Sequence, residues 1–108
     1  MPTSKLATFI GFAIKSRKCR TGMNAIQTLK SVKLMLVCKS ASENTKRQAI
    51  KVASKYNCPI YSTTNYELSE YVYKPNVKVL AVTDWALAKA VKENGTGELI
   101  DLVQTIQQ

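Results

Sequence analysis

The spacing of apolar residues along the chain switches several times between a helical and an extended period. Residues 4–16 show the first helical period, because five apolar side chains recur at intervals of three and four and form one stripe. That stripe consists of Leu6, Phe9, Ile10, Ala13 and Ile14. Nearly continuous apolar runs at 33–38 and 77–82 have the length of short strands, and each predicts a strand buried on both faces.

A basic cluster at residues 15–20 separates the first helix from a second. Thr21 is a candidate cap for that second helix, with Gly22 in its first turn. The inward side of the second helix is predicted to carry Ala25, Ile26 and Leu29. A third helix follows the first strand, and Ser40 and Ser42 are its two rival caps.

The second half of the chain repeats this alternation. Pro59 marks an edge strand or the start of a strand, and Thr64 in capping-box spacing with Glu67 predicts a short helix through about Tyr73. Asp84 caps another predicted helix, which Asn94-Gly95 ends. A last helix is predicted to carry Leu99, Leu102, Val103 and Ile106. Strands alternating with helices predict a three-layer α/β/α sandwich around a small mixed sheet, formed by one domain over residues 1–108.

Composition excludes several classes of protein. No apolar stretch approaches the roughly 18 residues that a membrane-spanning helix needs, and the N-terminus lacks the pattern of a signal peptide. The chain has no His, so it lacks the commonest general base and cannot build a Cys/His zinc site. Its three widely spaced cysteines are typical of reduced thiols in a cytoplasmic protein. We expect no enzyme activity, no metal and no cofactor.

Charge adds a candidate function. The net charge is +9, and residues 1–42 hold eight Lys or Arg without one Asp or Glu. The other eight basic residues share 43–108 with all seven acids. A field this uneven favours a polyanionic partner, and Lys15, Arg17, Lys18 and Arg20 are its densest part.

Several short motifs resemble one family in a shared order. Gly11-Phe12-Ala13, the basic cluster and Thr21-Gly22 are similar to the first-helix segment of the kink-turn-binding ribosomal protein family, the group of L-seven-Ae and L-thirty-e. Ala41 to Thr45, Ser62-Thr63 with Glu67 to Ser69, and Val79 to Asp84 match later motifs of its small bacterial YlxQ-like branch. The resemblance covers about residues 5–94. It implies the sandwich fold and binding of structured RNA at a kink-turn or kink-turn-like element.

The resemblance also implies where RNA lies. In the family it contacts the start of the second helix and two loops, which here are residues 18–30, 39–44 and 68–76. The ribosome or another ribonucleoprotein is the implied setting, with ribosomal or translation-associated proteins as further partners. The predicted contacts are Lys15, Arg17, Lys18, Arg20, Thr21, Gly22, Met23, Asn24, Lys39, Ser40, Tyr73 and Lys74.

The sequence departs from the family motif at three positions and in its third loop, where Tyr71 to Pro75 lack the family's usual Gly. Ala25 and Thr28 stand where the family has Glu and Lys, and Arg17 stands where the bacterial branch has Gly. A protein–protein adaptor on the same fold, without selective kink-turn recognition, is therefore the alternative function. A third hypothesis is thiol chemistry at Cys19, whose pKa the neighbouring cations could lower.

Aromatic residues have competing interpretations. Tyr66, Tyr71 and Tyr73 could stack on unpaired bases, but packing against the core is favoured for the first two. Trp85 is predicted to lie in the core.

Overall fold

The computed structural model describes residues 3–103 and confirms an α/β fold consistent with the three-layer α/β/α sandwich. Its helices are α1 (Lys5–Lys15), α2 (Met23–Gln27), α3 (Glu43–Tyr56), α4 (Leu68–Val72) and α5 (Trp85–Asn94). Its strands are β1 (Cys19–Thr21), β2 (Leu34–Val37), β3 (Ile60–Thr63), β4 (Val79–Val82) and β5 (Leu99–Asp101). None of the helices within residues 3–103 has the length and apolar character needed to cross a membrane.

The sheet is mixed, with strand order β1-β4-β2-β3-β5. Only β2 and β3 pair in parallel, and α3 is the crossover between them. The two apolar runs form the centre of the sheet: β2 and β4 are antiparallel neighbours, and every residue of both is buried. The short β1 is left at one edge, paired only with β4.

Helices cover the sheet because each one buries an apolar stripe. In α1 the buried positions are Leu6, Ile10 and Ala13, and this helix packs against α4 and α5. The Tyr56 hydroxyl of α3 reaches two backbone carbonyl oxygens in and just after α2. It lies 2.8 Å from the oxygen of Ile26 and 2.7 Å from the oxygen of Leu29. That hydroxyl ties α3 to the short second helix.

Several predicted helix starts are wrong by one to three residues. Thr21 caps nothing, because it is the last residue of β1, a strand too short to be recognised from its pattern. The cap of α2 is Gly22. Between the rival caps of α3, Ser42 accepts from the Thr45 N–H at 3.1 Å.

The cap of α4 also differs from the prediction. Glu67 caps that helix in a capping box with Glu70, whereas Thr64 bonds the Glu98 carbonyl. Competition between nearby polar residues decides these starts, and capping-box spacing alone does not identify the winner.

The predicted last helix is wrong at its start. Leu99 belongs to β5, which pairs antiparallel with β3 and makes β3 an internal strand. Helical backbone begins only at Leu102 and Val103, and Ile106 lies outside the described residues. A short apolar segment fits both the helical and the extended period. Residues 99–101 form a strand because the edge of β3 was free to pair with them.

Two predicted burials are also wrong. Trp85 is 68% exposed, because it is the first residue of α5 and lies beyond the end of β4, beside Pro59. Ala25 is exposed because α2 has only five residues and buries Ile26 alone. Tyr71, in contrast, is buried and contacts Tyr66 edge to face, which confirms the packing interpretation for both.

Candidate nucleic-acid interface

The basic cluster begins where α1 ends in a tight reversal. The Arg17 N–H donates to the Ile14 carbonyl at 3.1 Å, and the Lys18 N–H donates to that of Ala13 at 2.8 Å. This pair of bonds defines a Schellman motif, whose penultimate position takes left-handed backbone and usually Gly. Arg17 occupies that position with φ 60°. The structure therefore shows what the departure at Arg17 costs: this backbone favours glycine, and the chain carries an exposed guanidinium there instead.

The chain then runs along the sheet edge as β1 and turns at Gly22. The Gly22 N–H donates to the Val79 carbonyl oxygen at 3.1 Å, and its φ of 90° is one that other residues rarely adopt. Gly22 is exposed and has no side chain to cap α2. Asn24 is exposed as well, and its amide has no hydrogen-bond partner among residues 3–103. The start of α2 is thus open to solvent, although a helix of five residues has little dipole.

A groove of about 590 Å³ lies against the edge strand. It brings together Arg17 from the end of α1, Arg20 from β1 and Lys74 from the loop before β4. The remaining lining is formed by Ile14, Cys19, Thr21, Ala25 and Val72. None of the described residues that line this groove is acidic, and we call it the basic groove. It joins the first predicted contact region to the third.

The second predicted region has a different character. Ser40 donates to a Glu67 oxygen at 2.5 Å and accepts from Lys78 Nζ at 2.7 Å. The hydrogen bond from Ser40 is the main cause that lowers the pKa of the Glu67 carboxyl, and Lys78 adds to it from 3.9 Å. Lys39 is exposed and reaches the Asn65 carbonyl at 3.5 Å. Ser40 therefore stabilises a loop, and its hydroxyl is already engaged.

The other predicted residues lie around these two places. Lys15 and Lys18 are exposed at the end of α1, and Tyr73 is 68% exposed beside Lys74. Met23 is half-buried against the core. The predicted contacts did not include Val72, which lines the basic groove, or Lys78, which donates to Ser40. Ala25 was predicted to face inward, but it lines the basic groove.

Thiol chemistry at Cys19 is not supported. Burial raises the pKa of the Cys19 thiol above its ordinary value, and Arg20 only partly offsets this. Burial likewise raises the pKa of Cys58 to about 11. Both thiols are therefore protonated and poor nucleophiles at neutral pH. All three cysteines are free thiols, and no cluster of His, Cys, Asp or Glu within residues 3–103 could hold a metal ion.

These features define a small, basic α/β sandwich protein with a cationic groove along one sheet edge. Comparison with known proteins adds a related fold and a family. A solved structure of a protein of unknown function from Bacillus halodurans has the same fold, with a TM-score of 0.74, 20% identity and coverage of 83% of this chain and 95% of that one. No family model matches the chain.

A curated relative shows the family. The RNA-binding protein YlxQ of Enterococcus faecium is 31% identical over 93 residues, which are 82% of this chain and 89% of the relative. The chain belongs to the YlxQ family, and this confirms the resemblance to the small bacterial L-seven-Ae-like branch. That relative is named for RNA binding and not for catalysis, which supports the expectation that the chain is not an enzyme.

Proposed function

We propose that this protein binds structured RNA through the basic groove and the exposed start of α2. The observation that carries the proposal is the convergence of Arg17, Arg20 and Lys74 on one acid-free groove, although they come from three separate segments. The family supports it, since the curated relative is an RNA-binding protein.

The two parts of the interface have different tasks. Arg and Lys side chains in the groove contact phosphates, which gives affinity without sequence preference. Gly22 lets the RNA backbone approach the start of α2 closely, and the Asn24 amide can both donate to and accept from a base edge. Asn24 is therefore the residue we assign to readout.

The preferred RNA in this proposal is a kink-turn or a kink-turn-like element. The chain lacks the family's Glu and Lys, and the structure shows what replaces them. Ala25 lines the groove, and the Thr28 hydroxyl donates to the Ala25 carbonyl at 2.7 Å, which closes the end of α2. With readout left to Asn24, we expect the preference for a kinked RNA to be present but small.

The cellular setting is part of the proposal. A small basic RNA-binding protein of this family would act in the cytoplasm on ribosomal or other structured RNA. Ribosomal or translation-associated proteins would be its neighbours there.

A gel-shift titration at several salt concentrations tests the proposal. A kink-turn hairpin should bind more tightly than an unkinked duplex of matched length, and contact with about four phosphates gives a log–log salt slope near −3. A slope shallower than −1, together with equal weak binding of both RNAs, would contradict it.

A second candidate function, a protein–protein adaptor, is favoured by one observation. Trp85 is 68% exposed beside a groove of about 360 Å³, which we call the Trp85 groove. Its floor includes the side chains of Leu34 and Ala88, and Pro59 lies on its wall. Lys33, Lys89 and Lys92 surround it with one acid, Glu93. An exposed indole among lysines fits a short acidic segment of a partner protein that carries an aliphatic side chain.

The fluorescence of Trp85 tests this candidate directly, because it is the only tryptophan of the chain. Titration with an acidic peptide of alternating Glu and Leu should shift the emission to shorter wavelength in the wild type. The control is Lys89→Ala with Lys92→Ala, which should weaken that response. No spectral change at millimolar peptide would count against the adaptor.

A further inference from the structure

A second groove adjoins the basic groove on the outer side of α1. It has a volume of about 340 Å³ and is lined by Thr3, Ala7, Thr8, Gly11, Phe12, Lys15 and Tyr73. Two large aromatic rings border it and remain in solvent, since Phe12 is 51% exposed and Tyr73 is 68% exposed. We propose that this aromatic groove binds one unpaired nucleobase of the RNA held in the basic groove. The inference rests on the proposed function and extends its footprint onto α1.

The two rings stand on different parts of the fold. Phe12 contacts Phe9 edge to face with ring centroids 5.9 Å apart, and Phe9 packs on the core. Tyr73 is the C-cap of α4 in left-handed backbone, with φ 55°. Bulky residues seldom adopt this conformation, so the chain keeps Tyr73 at this exposed position at a conformational cost. Exposed aromatic rings are what RNA-binding surfaces use to stack on bases.

Gly11 adds an open stretch of helix backbone to the lining of this groove. It lies inside α1, where glycine is less favourable than alanine, yet a Cβ added there would meet nothing within 4 Å. Packing within the protein therefore gives no reason for glycine at this position. A flat ring lying against the helix backbone would give one, because the missing side chain is what makes room for it.

Charge and position identify the occupant as part of an RNA. Lys15 is the only charged side chain among the described residues that line the aromatic groove, and it can pair with the phosphate of the bound nucleotide. The two grooves meet along the chain at two points, since Ile14 and Lys74 line one while Lys15 and Tyr73 line the other. An RNA strand leaving the basic groove therefore reaches the aromatic groove without crossing an acidic residue of either lining. An apolar protein segment is the other class of occupant, and the test below separates the two.

The test compares a blunt kink-turn hairpin with the same hairpin carrying three unpaired nucleotides at its 5′ or 3′ end. Base stacking predicts that one extension raises affinity about five- to tenfold. An extension of abasic nucleotides keeps the phosphates but has no bases to stack. It should therefore give only the part of the gain in affinity that comes from phosphate contacts and falls with added salt. Replacing one extension base by 2-aminopurine should give fluorescence quenching on binding.

Gly11→Leu is the decisive variant, because it adds a side chain to the lining of the groove. It should abolish the gain from the extension and leave the affinity for the blunt hairpin unchanged. Gly11→Ala is the matched control: it improves helix propensity, fills little space and should keep most of the gain. Phe12→Ala should also reduce the gain, and thermal melting of each variant confirms folding.

The outcomes separate this inference from the proposed function. If the blunt hairpin binds and neither extension adds affinity, the aromatic groove does not bind a base and the inference is overturned. A gain that survives in Gly11→Leu overturns it as well. Loss of all RNA binding in the wild type overturns the proposed function itself.

Discussion

The basic groove and the Trp85 groove are both surface depressions rich in cations, but they are built differently. The basic groove has two Arg and one Lys without an acid, and it runs along the edge strand β1. The Trp85 groove has three Lys and one Glu around an apolar floor, at the end of the sheet where β2 and β3 begin. They share no lining residue.

This difference indicates which of the two cationic surfaces is better suited to RNA. Arg has a planar donor fork that matches phosphate oxygens, and Arg17 and Arg20 stand beside an open backbone turn at Gly22. Lys89 and Lys92 instead lie one turn apart on the solvent side of a helix, a common pattern for solubility. We therefore propose the basic groove, and not the Trp85 groove, as the RNA-binding assignment to be tested.

The largest effect is expected from a matched pair of double variants. Arg20→Ala with Lys74→Ala removes two phosphate contacts, each worth about 0.8 in salt slope, so RNA affinity should fall ~40-fold at 0.1 M salt and the slope should flatten by about 1.6. Lys89→Ala with Lys92→Ala removes the same charge from α5 and should change affinity less than threefold. Fluorescence anisotropy with labelled hairpin measures both. Equal losses in the two variants would mean that only net charge matters.

Arg17→Gly should move stability and binding in opposite directions. Glycine relieves the left-handed backbone at the end of α1, so the free energy of unfolding should rise by about 0.5–1 kcal/mol. Loss of one phosphate contact should lower RNA affinity about sixfold at 0.1 M salt. Urea denaturation and anisotropy give the two values, and Arg17→Lys should retain most of the affinity. A variant that is both less stable and equally tight in binding would disprove the role given to Arg17.

Asn24→Ala should change preference more than affinity. Losing one base-edge contact should reduce the ratio of kink-turn to duplex affinity about fivefold, the low end of the ~1–3 kcal/mol expected for such readout. The salt slope should stay the same, because no phosphate contact is removed. Competition gel shifts supply the ratio, and equal losses on both RNAs would refute a readout role for Asn24.

The smallest effect is expected at the second groove. Trp85→Ala should leave RNA affinity within twofold of the wild-type value. It should change the free energy of unfolding by less than about 1 kcal/mol, since the ring is largely exposed. The same anisotropy and urea experiments apply. A tenfold loss of RNA affinity would move the interface to the Trp85 groove.

The sequence predicted most of what depends on local pattern. The apolar runs at β2 and β4 and the stripe of α1 were recognisable because burial on a defined face leaves a period in the chain. The acid-free leading segment indicated where cations gather, because charged side chains have to stay in water.

Features that depend on tertiary neighbours were not predictable in this way. The exposure of Trp85 depends on which residues lie beside the start of α5 in the fold. The short β1 forms a strand because β4 provides its hydrogen-bonding partner. The hydrogen bond that joins Ser40 to Glu67, 27 residues further along the chain, is another feature that sequence spacing does not indicate. The aromatic groove needs Gly11 and Tyr73 to line the same depression, and no spacing in the sequence indicates that.

The most direct test of the assignment is a ¹⁵N–¹H correlation spectrum of the protein titrated with a kink-turn hairpin. We expect the largest chemical-shift changes at the amides of residues 17–25, 73, 74 and 76, while the single indole N–H signal of Trp85 stays in place. Movement of that indole signal, with the amides of Arg17, Arg20 and Gly22 unchanged, would contradict the assignment.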